Sequence, residues 1–467
     1  MDNRELFSKA ANHAARFRDH VAEGPQRPRT DYAGALADFS ETLPEGATPA
    51  ETVLDDLVTR AEPGLHAMTG PRFFGWVIGG SHPMGVAADI LTSAWGQNTG
   101  NHTATPAAAA VETIASRWLL ELLGLPLSCS VGFVTGATVA NFTCLAAARG
   151  EVLMQAGWDA DALGLFGAPP ISILIGDDAH TTVFSALQFL GLGHDRVVRI
   201  ATDEQGRIKP DAFGEAIAGV AGPCIAILQA GQINTGHCDD FAQLIPMAKT
   251  KGAWVHVDGA FGLWAQASAR RRHLTDGAAL ADSWATDGHK WLQTPYDCGY
   301  AIIRNELAHR RAMTIAASYL PFAREGERDP SHYVPELSRR ARGFSTWAMI
   351  RHLGRSGIEA LVDRCCDAAQ RIATALASEP GIAIGNSVVL NQAIVRFGTD
   401  LPAEQADALT TETIAELQRV GRIFAGGATW RGRQIMRLSV SNYQTDMSEA
   451  EKAAEAIISA YRAVRHG

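Results

Sequence analysis

The sequence predicts an α/β protein built on a mainly parallel central sheet, with a smaller α+β domain toward its C-terminal end. Three observations predict it. Brief apolar runs alternate with helix-prone stretches from residue 131 onward. Most of these runs stop at turns rich in Gly, Asp or Asn. Beyond Arg339 that rhythm gives way to one long helical stretch followed by a few strands.

Taken in order, residues 1–60 are polar and helix-prone, with a Pro/Arg-rich break at Gly24–Thr30, and residues 1–80 are expected to form a helical arm. Residues 106–124 carry the periodicity of one amphipathic helix. The apolar runs are VGFVT (131–135), ISILI (171–175), CIAIL (224–228), WVHV (254–257), SWAT (283–286) and YAII (300–303), which place the large domain at 81–330. A helix is expected over 342–378, then strands near 383–397 and 434–441 with a helix between them. These make up a small domain at 331–467.

Composition bounds the function. A chain of 467 residues, 46% hydrophobic, can bury a large core. Its 41 basic and 50 acidic residues give a net charge of −9, which argues against an electrostatic grip on nucleic acid or an anionic membrane. Seven cysteines without a C-x-x-C pair suit a reducing compartment, and there is neither an apolar leader nor an 18-residue apolar run, so the expected location is cytoplasmic. No paired Cys/His spacing or H-E-x-x-H calls for a metal.

The unusual residues fall at strand ends, where ligands gather in sheets of this kind. After VGFVT comes Gly136-Ala137-Thr138, small residues and a hydroxyl at a helix start, a cradle for phosphate on backbone N–H groups. After ISILI comes a loop ending in His180. After WVHV comes Asp258-Gly259-Ala260, and after SWAT comes Asp287-Gly288-His289-Lys290. A phosphate nest, an imidazole, a carboxylate and an amine together match pyridoxal phosphate. That cofactor needs a lysine for its Schiff base, a carboxylate to keep its ring nitrogen protonated, an anion site and a flat side chain against its ring. Lys290, Asp258, Ala137 with Thr138, and His180 take those places.

The stretches GFVTGATVAN, DDAHTT, HVDGAFG and DGHKWLQTPYDCG resemble, in order and spacing, the pyridoxal-phosphate-dependent group II amino-acid decarboxylases, and HKW…DC is most similar to the aromatic-L-amino-acid branch. The likeness runs from about Pro71 to Asn442, with PRFFGWV (71–77), NTGNHTATPAAAAVE (98–112) and SRRARGFSTWAMIRHLGR (338–355) as further matches. It implies a type I aminotransferase-like fold and a homodimer whose sites lie at the subunit interface, with the N-terminal arm wrapping the partner. It also implies that Asp287, His289 and Ala260 stand beside the cofactor. Arg437 would hold the substrate's α-carboxylate, as a planar guanidinium can, and Trp76 and Val77 would line the side-chain pocket, which suits an aromatic or bulky apolar L-amino acid.

Each residue has a plainer reading. Asp258 or Thr138 could cap a helix, His180 could be an ordinary loop histidine, His289 could pack on the sheet, and Arg437 could sit on a solvated strand face. Trp76 and Val77 are equally readable as core.

Two departures from the family touch reaction specificity. Where the aromatic branch has a loop tyrosine that delivers a proton, this chain has Pro330; Tyr333, in the loop-like segment 321–334, would substitute. Where the family has threonines beside the ring hydroxyl, this chain has Gln232, Ile233 and Asn234. The expected reaction is decarboxylation to amine and carbon dioxide. The alternatives are decarboxylation with oxidative deamination to an aldehyde, retro-aldol cleavage of a β-hydroxy amino acid, or a non-catalytic protein retaining the fold.

Overall fold

The computed structural model describes residues 1–314 and 327–466, so residues 321–326 of the expected proton-delivering loop lie outside the described residues. The chain divides into two compact units. One comprises Met1–Gly80, Ala368–Gly385 and Ile394–Gly467, the other Ser81–Asp367 with Asn386–Ala393. This differs from the three-part division that patterning suggests. Residues 1–80 belong with the C-terminal segments because long-range pairing ties them there: Gln26 N donates to Gly421 O at 2.7 Å, Phe74 N to Phe424 O at 2.8 Å, and Arg72 pairs with Glu449 at 2.6 Å. Residues 331–367 belong to the larger unit.

The larger unit is organised by a seven-stranded sheet of β1 (Ser130–Val134), β2 (Ser172–Gly176), β3 (Val198–Ile200), β4 (Cys224–Gln229), β5 (Trp254–Asp258), β6 (Ser283–Asp287) and β7 (Gly299–Ile303). Their order across the sheet is β1-β7-β6-β5-β4-β2-β3. The pairs β2–β3, β2–β4, β4–β5 and β5–β6 are parallel, whereas β7 runs antiparallel to both β6 and β1. Every residue of β1, β4, β5, β6 and β7 is buried, which is why the sequence writes them as unbroken apolar runs. β3 carries no such run: it is three residues long at the sheet edge, and its first two residues are exposed.

The helix after β1, Ala137–Gln155, lies on the sheet with twelve buried residues. A buried polar chain holds it there. His256 of β5 is hydrogen-bonded through Nε2 to Asn141 Oδ1 (2.8 Å) and through Nδ1 to Ser283 Oγ of β6 (2.9 Å). Burial pushes that imidazole down to about 3, so it is neutral. The helix expected at 106–124 spans Pro106–Leu122. The one expected over 342–378 spans Gly343–Ala377 but is broken at Gly354, whose φ of 62° suits glycine.

The smaller unit holds a second sheet of β8 (Ile382–Ile384), β9 (Gln392–Phe397), β10 (Gly426–Trp430) and β11 (Arg433–Ser439), ordered β10-β11-β9-β8. Helices Ala403–Val420 and Met447–His466 accompany it. The three N-terminal helices of this unit, Asn3–His20, Tyr32–Phe39 and Ala50–Ala61, bury no residue completely. Among the described residues, no helix is long and apolar enough to cross a membrane.

Candidate active site

At the carboxyl ends of β1, β2, β4, β5 and β6 the larger unit opens a cavity of about 340 Å³. Its lining includes Ala137, Thr138, His180, Asp258, Ala260, Asp287, His289 and Lys290, so eight residues expected from four separate strand ends come together. The parallel pairing explains the meeting. Gln229 faces Asp258, and Asp258 faces Ala285, in register. Beyond the strands, Gly259 N donates to Ala285 O (2.9 Å) and Asp287 N to Ala260 O (3.0 Å), which carries the β5 and β6 ends forward side by side. Gly288 is required in this turn because a Cβ there would run into the Tyr300 hydroxyl.

Lys290 Nζ lies 2.9 Å from Asp287 Oδ2. The other oxygen of Asp287 accepts from Ala137 N at 2.6 Å, so one buried carboxylate links the lysine to the first N–H of helix Ala137–Gln155. His289 Nδ1 accepts from Cys298 N (3.2 Å), which leaves the hydrogen of the neutral ring on Nε2, 3.6 Å from Asp287 Oδ1. Burial pushes this imidazole down, partly opposed by Asp287. The His180 ring caps helix Thr181–Phe189: its Nδ1 meets Thr182 N at 3.3 Å and the Thr182 hydroxyl at 2.8 Å, which fixes its orientation. Asp258 is 3% exposed and accepts from Ala260 N at 3.2 Å. Burial raises its carboxyl, and the nearby His180 and Lys290 draw it back down.

The remaining expected residues are not among the cavity's lining. Tyr333 does not line the cavity of this single chain. It is 5% exposed in the short turn Pro330–Tyr333, its hydroxyl donates to Glu306, the Arg328 guanidinium sits 3.8 Å above its ring centroid, and its carbonyl accepts from His309 at 2.9 Å. Cation–π packing and a charge-assisted hydrogen bond hold it there. Trp76, Val77 and Arg437 belong to the smaller unit. There Ser439 N donates to Phe74 O at 3.0 Å, which ties the segment leading to Trp76 to the strand bearing Arg437. Trp76 is 51% exposed, with its ring 5.2 Å from that of Phe424. Val77 is fully buried. Both have positive φ, 52° and 58°, an uncommon conformation for such residues. Burial pushes the Arg437 guanidinium down from its ordinary range.

Sequence reasoning missed Thr135, Thr182, Phe261 and Tyr296, which also line the cavity. Of the departing turn, Ile233 lines the cavity, while Gln232 Oε1 accepts from Asn234 N (2.6 Å) and Thr235 N (3.1 Å). The donor set fits pyridoxal phosphate: an amine, a buried carboxylate, a ring face and an N–H nest, with no side chain at Gly136, where a Cβ would come within 3.0 Å of His289.

The pyridoxal-dependent decarboxylase conserved domain matches residues 34–395. The chain belongs to the pyridoxal-dependent decarboxylase family. It is a pyridoxal-phosphate-dependent carboxy-lyase acting on amino acids. The aromatic-L-amino-acid decarboxylase of Bacillus atrophaeus is 27% identical over 423 residues, covering 89% of this chain and 85% of that one. The L-2,4-diaminobutyrate decarboxylase of Rhizobium meliloti (strain 1021) is 27% identical over 476 residues, covering 98% and 92%. The crystal structure of Oryza sativa TDC with PLP and tryptamine superposes with a TM-score of 0.91 at 22% identity, covering 98% of this chain and 97% of that one, a likeness of fold.

Proposed function

We propose that this decarboxylase acts on an L-amino acid with an aromatic or bulky apolar side chain, releasing the amine and carbon dioxide, and that it works as a homodimer in the cytoplasm. The observation that carries the reading is the meeting of Lys290, Asp258, His180 and the Ala137–Thr138 nest around one cavity.

The bound cofactor supplies an electron sink for the bond broken at the substrate's α-carbon. Lys290 would be its covalent anchor, and Asp287 beside it, 2.9 Å away, would hold the amine in place. Asp258 would meet its ring nitrogen with a carboxylate, His180 would stack on the ring, and Ala137, Thr138 and His289 would receive the phosphate, with Ala260 at the cavity wall. Arg437 would take the substrate carboxylate in a bidentate grip, and the orientation of the group so held would decide which bond breaks. The half-exposed Trp76 indole supports an aromatic or large apolar substrate.

The homodimer is supported by the N-terminal helices, which expose Phe7, Tyr32, Leu36 and Phe39. The cytoplasmic placement rests on seven free, buried cysteines.

A panel of L-amino acids, with carbon dioxide, amine, aldehyde and peroxide followed together, tests the reading. Amine and carbon dioxide in equal amounts are expected, and Lys290→Ala should abolish turnover; turnover retained by that variant would overturn the assignment. A second reading, oxidative conversion to an aldehyde or retro-aldol cleavage, is favoured by Pro330 and by the engagement of the Tyr333 hydroxyl with Glu306. Aldehyde with ammonia and peroxide, or glycine with an aldehyde, would establish it.

A further inference from the structure

Tyr296 stands six residues after Lys290, in the turn that joins β6 to β7. Its ring stacks on His289, with centroids 4.2 Å apart and planes at 27°. His289 in turn borders the start of helix Ala137–Gln155, since a Cβ on Gly136 would lie 3.0 Å from its Cε1 and 3.8 Å from its Nε2. The stack therefore leads from the helix start through the imidazole to the phenol. Tyr296 lines the same cavity as Lys290 and is 53% exposed, and among the described residues no hydrogen bond engages its hydroxyl. Crowding around the phenol, with Asp287 adding to it, pushes it up to about 12, so the hydroxyl keeps its proton at neutral pH.

The charge at this end of the cavity gives that proton a use. A phosphate arriving at the Ala137 N–H meets the Asp287 carboxylate already bonded there. No arginine lines the cavity among the described residues, and its one lysine is the covalent anchor of the proposed mechanism. Neutral donors must then offset the repulsion between carboxylate and phosphate. The helix start supplies N–H groups, Thr138 a hydroxyl and His289 its Nε2–H; the lining adds the hydroxyls of Thr135 and Tyr296, and of these two Tyr296 stacks on His289.

We propose that the Tyr296 hydroxyl is a phosphate ligand, donating to an oxygen of pyridoxal phosphate alongside the nest at Ala137 and Thr138. The inference rests on the cofactor placement proposed above. It gives Tyr296 a role in holding the cofactor that the Tyr296–His289 stack alone would not require, because phenylalanine would stack as well.

Tyr296→Phe keeps the ring and removes the donor. The test is the dissociation constant of pyridoxal 5'-phosphate and of pyridoxal, which lacks the phosphate, for the full-length wild-type and Y296F proteins, read by absorbance and protein fluorescence. The expected result is a loss of about ten- to a hundredfold in affinity for pyridoxal 5'-phosphate, the range for a hydrogen bond to a charged group, with the pyridoxal constant changed by no more than about twofold. An unchanged melting temperature of the ligand-free variant is expected alongside. Equal losses for both ligands, or none for either, overturn the proposal. So does a fall in kcat at saturating cofactor with affinity intact, which would place the hydroxyl at the reacting atoms. Wild-type protein that binds neither ligand overturns the cofactor placement itself, and this proposal with it.

Discussion

Gly288, Asp258 and Tyr296 show three degrees to which single residues are legible in the sequence. Gly288 is a requirement of space: its missing side chain leaves room for the Tyr300 hydroxyl, and Gly288→Ala is expected to cost about 1–3 kcal/mol, the usual range for overpacking, read as a lower urea midpoint. Asp258 was legible because a carboxylate ending an apolar run has few purely structural uses. Asp258→Asn should still take up cofactor while kcat falls by about 10²–10³-fold, the scale of losing one preorganised electrostatic partner; steady-state kinetics at saturating cofactor checks this. Tyr296 was not legible. A tyrosine in a turn has no periodicity to betray it, and the available signal was only its place on the turn that carries Lys290. The surroundings of Tyr333 were not legible either: its place three residues after Pro330 says nothing of Glu306 and Arg328, which hold its hydroxyl and ring.

Among elements, the six apolar runs became β1, β2, β4, β5, β6 and β7 because burial on both faces leaves a plain sequence record. β3 left none, being short and mostly exposed. The break at Gly354 was hidden inside a helical pattern that continues on both sides of it. At the join between β7 and helix Ala137–Gln155 the elements meet tightly, since a Cβ on Gly299 would stand 2.5 Å from Gly136 Cα. Gly299→Ala should therefore displace the helix start and weaken cofactor binding more than it lowers stability. A cofactor titration beside a urea melt separates the two effects.

At the scale of the molecule, the division into units was the least legible feature, because Gln26–Gly421 and Arg72–Glu449 pair residues hundreds of positions apart. The response to acid is also a property of the whole chain. His256 and His309 are buried and pushed down to about 3. The folded state then binds fewer protons than the unfolded state between about pH 3 and the ordinary histidine value near 6.5, so each contributes stability that is lost as pH falls through that window, by about 1.4 kcal/mol per pH unit. Asp239, pushed up to about 7 by burial, acts in the opposite sense, losing stability as pH rises from about 4 to 7. Urea midpoints from pH 6.5 to 4.5 should therefore fall less steeply for His309→Gln than for the wild type, and more steeply for Asp239→Asn. The cavity, finally, draws its lining from strands that are far apart in the chain and otherwise held only by lateral pairing. A molecule seated there staples their tips together, so loading should slow amide exchange at the ends of β1, β2, β5 and β6 in concert, and the vitamin would act as a structural clasp before it acts as a reagent.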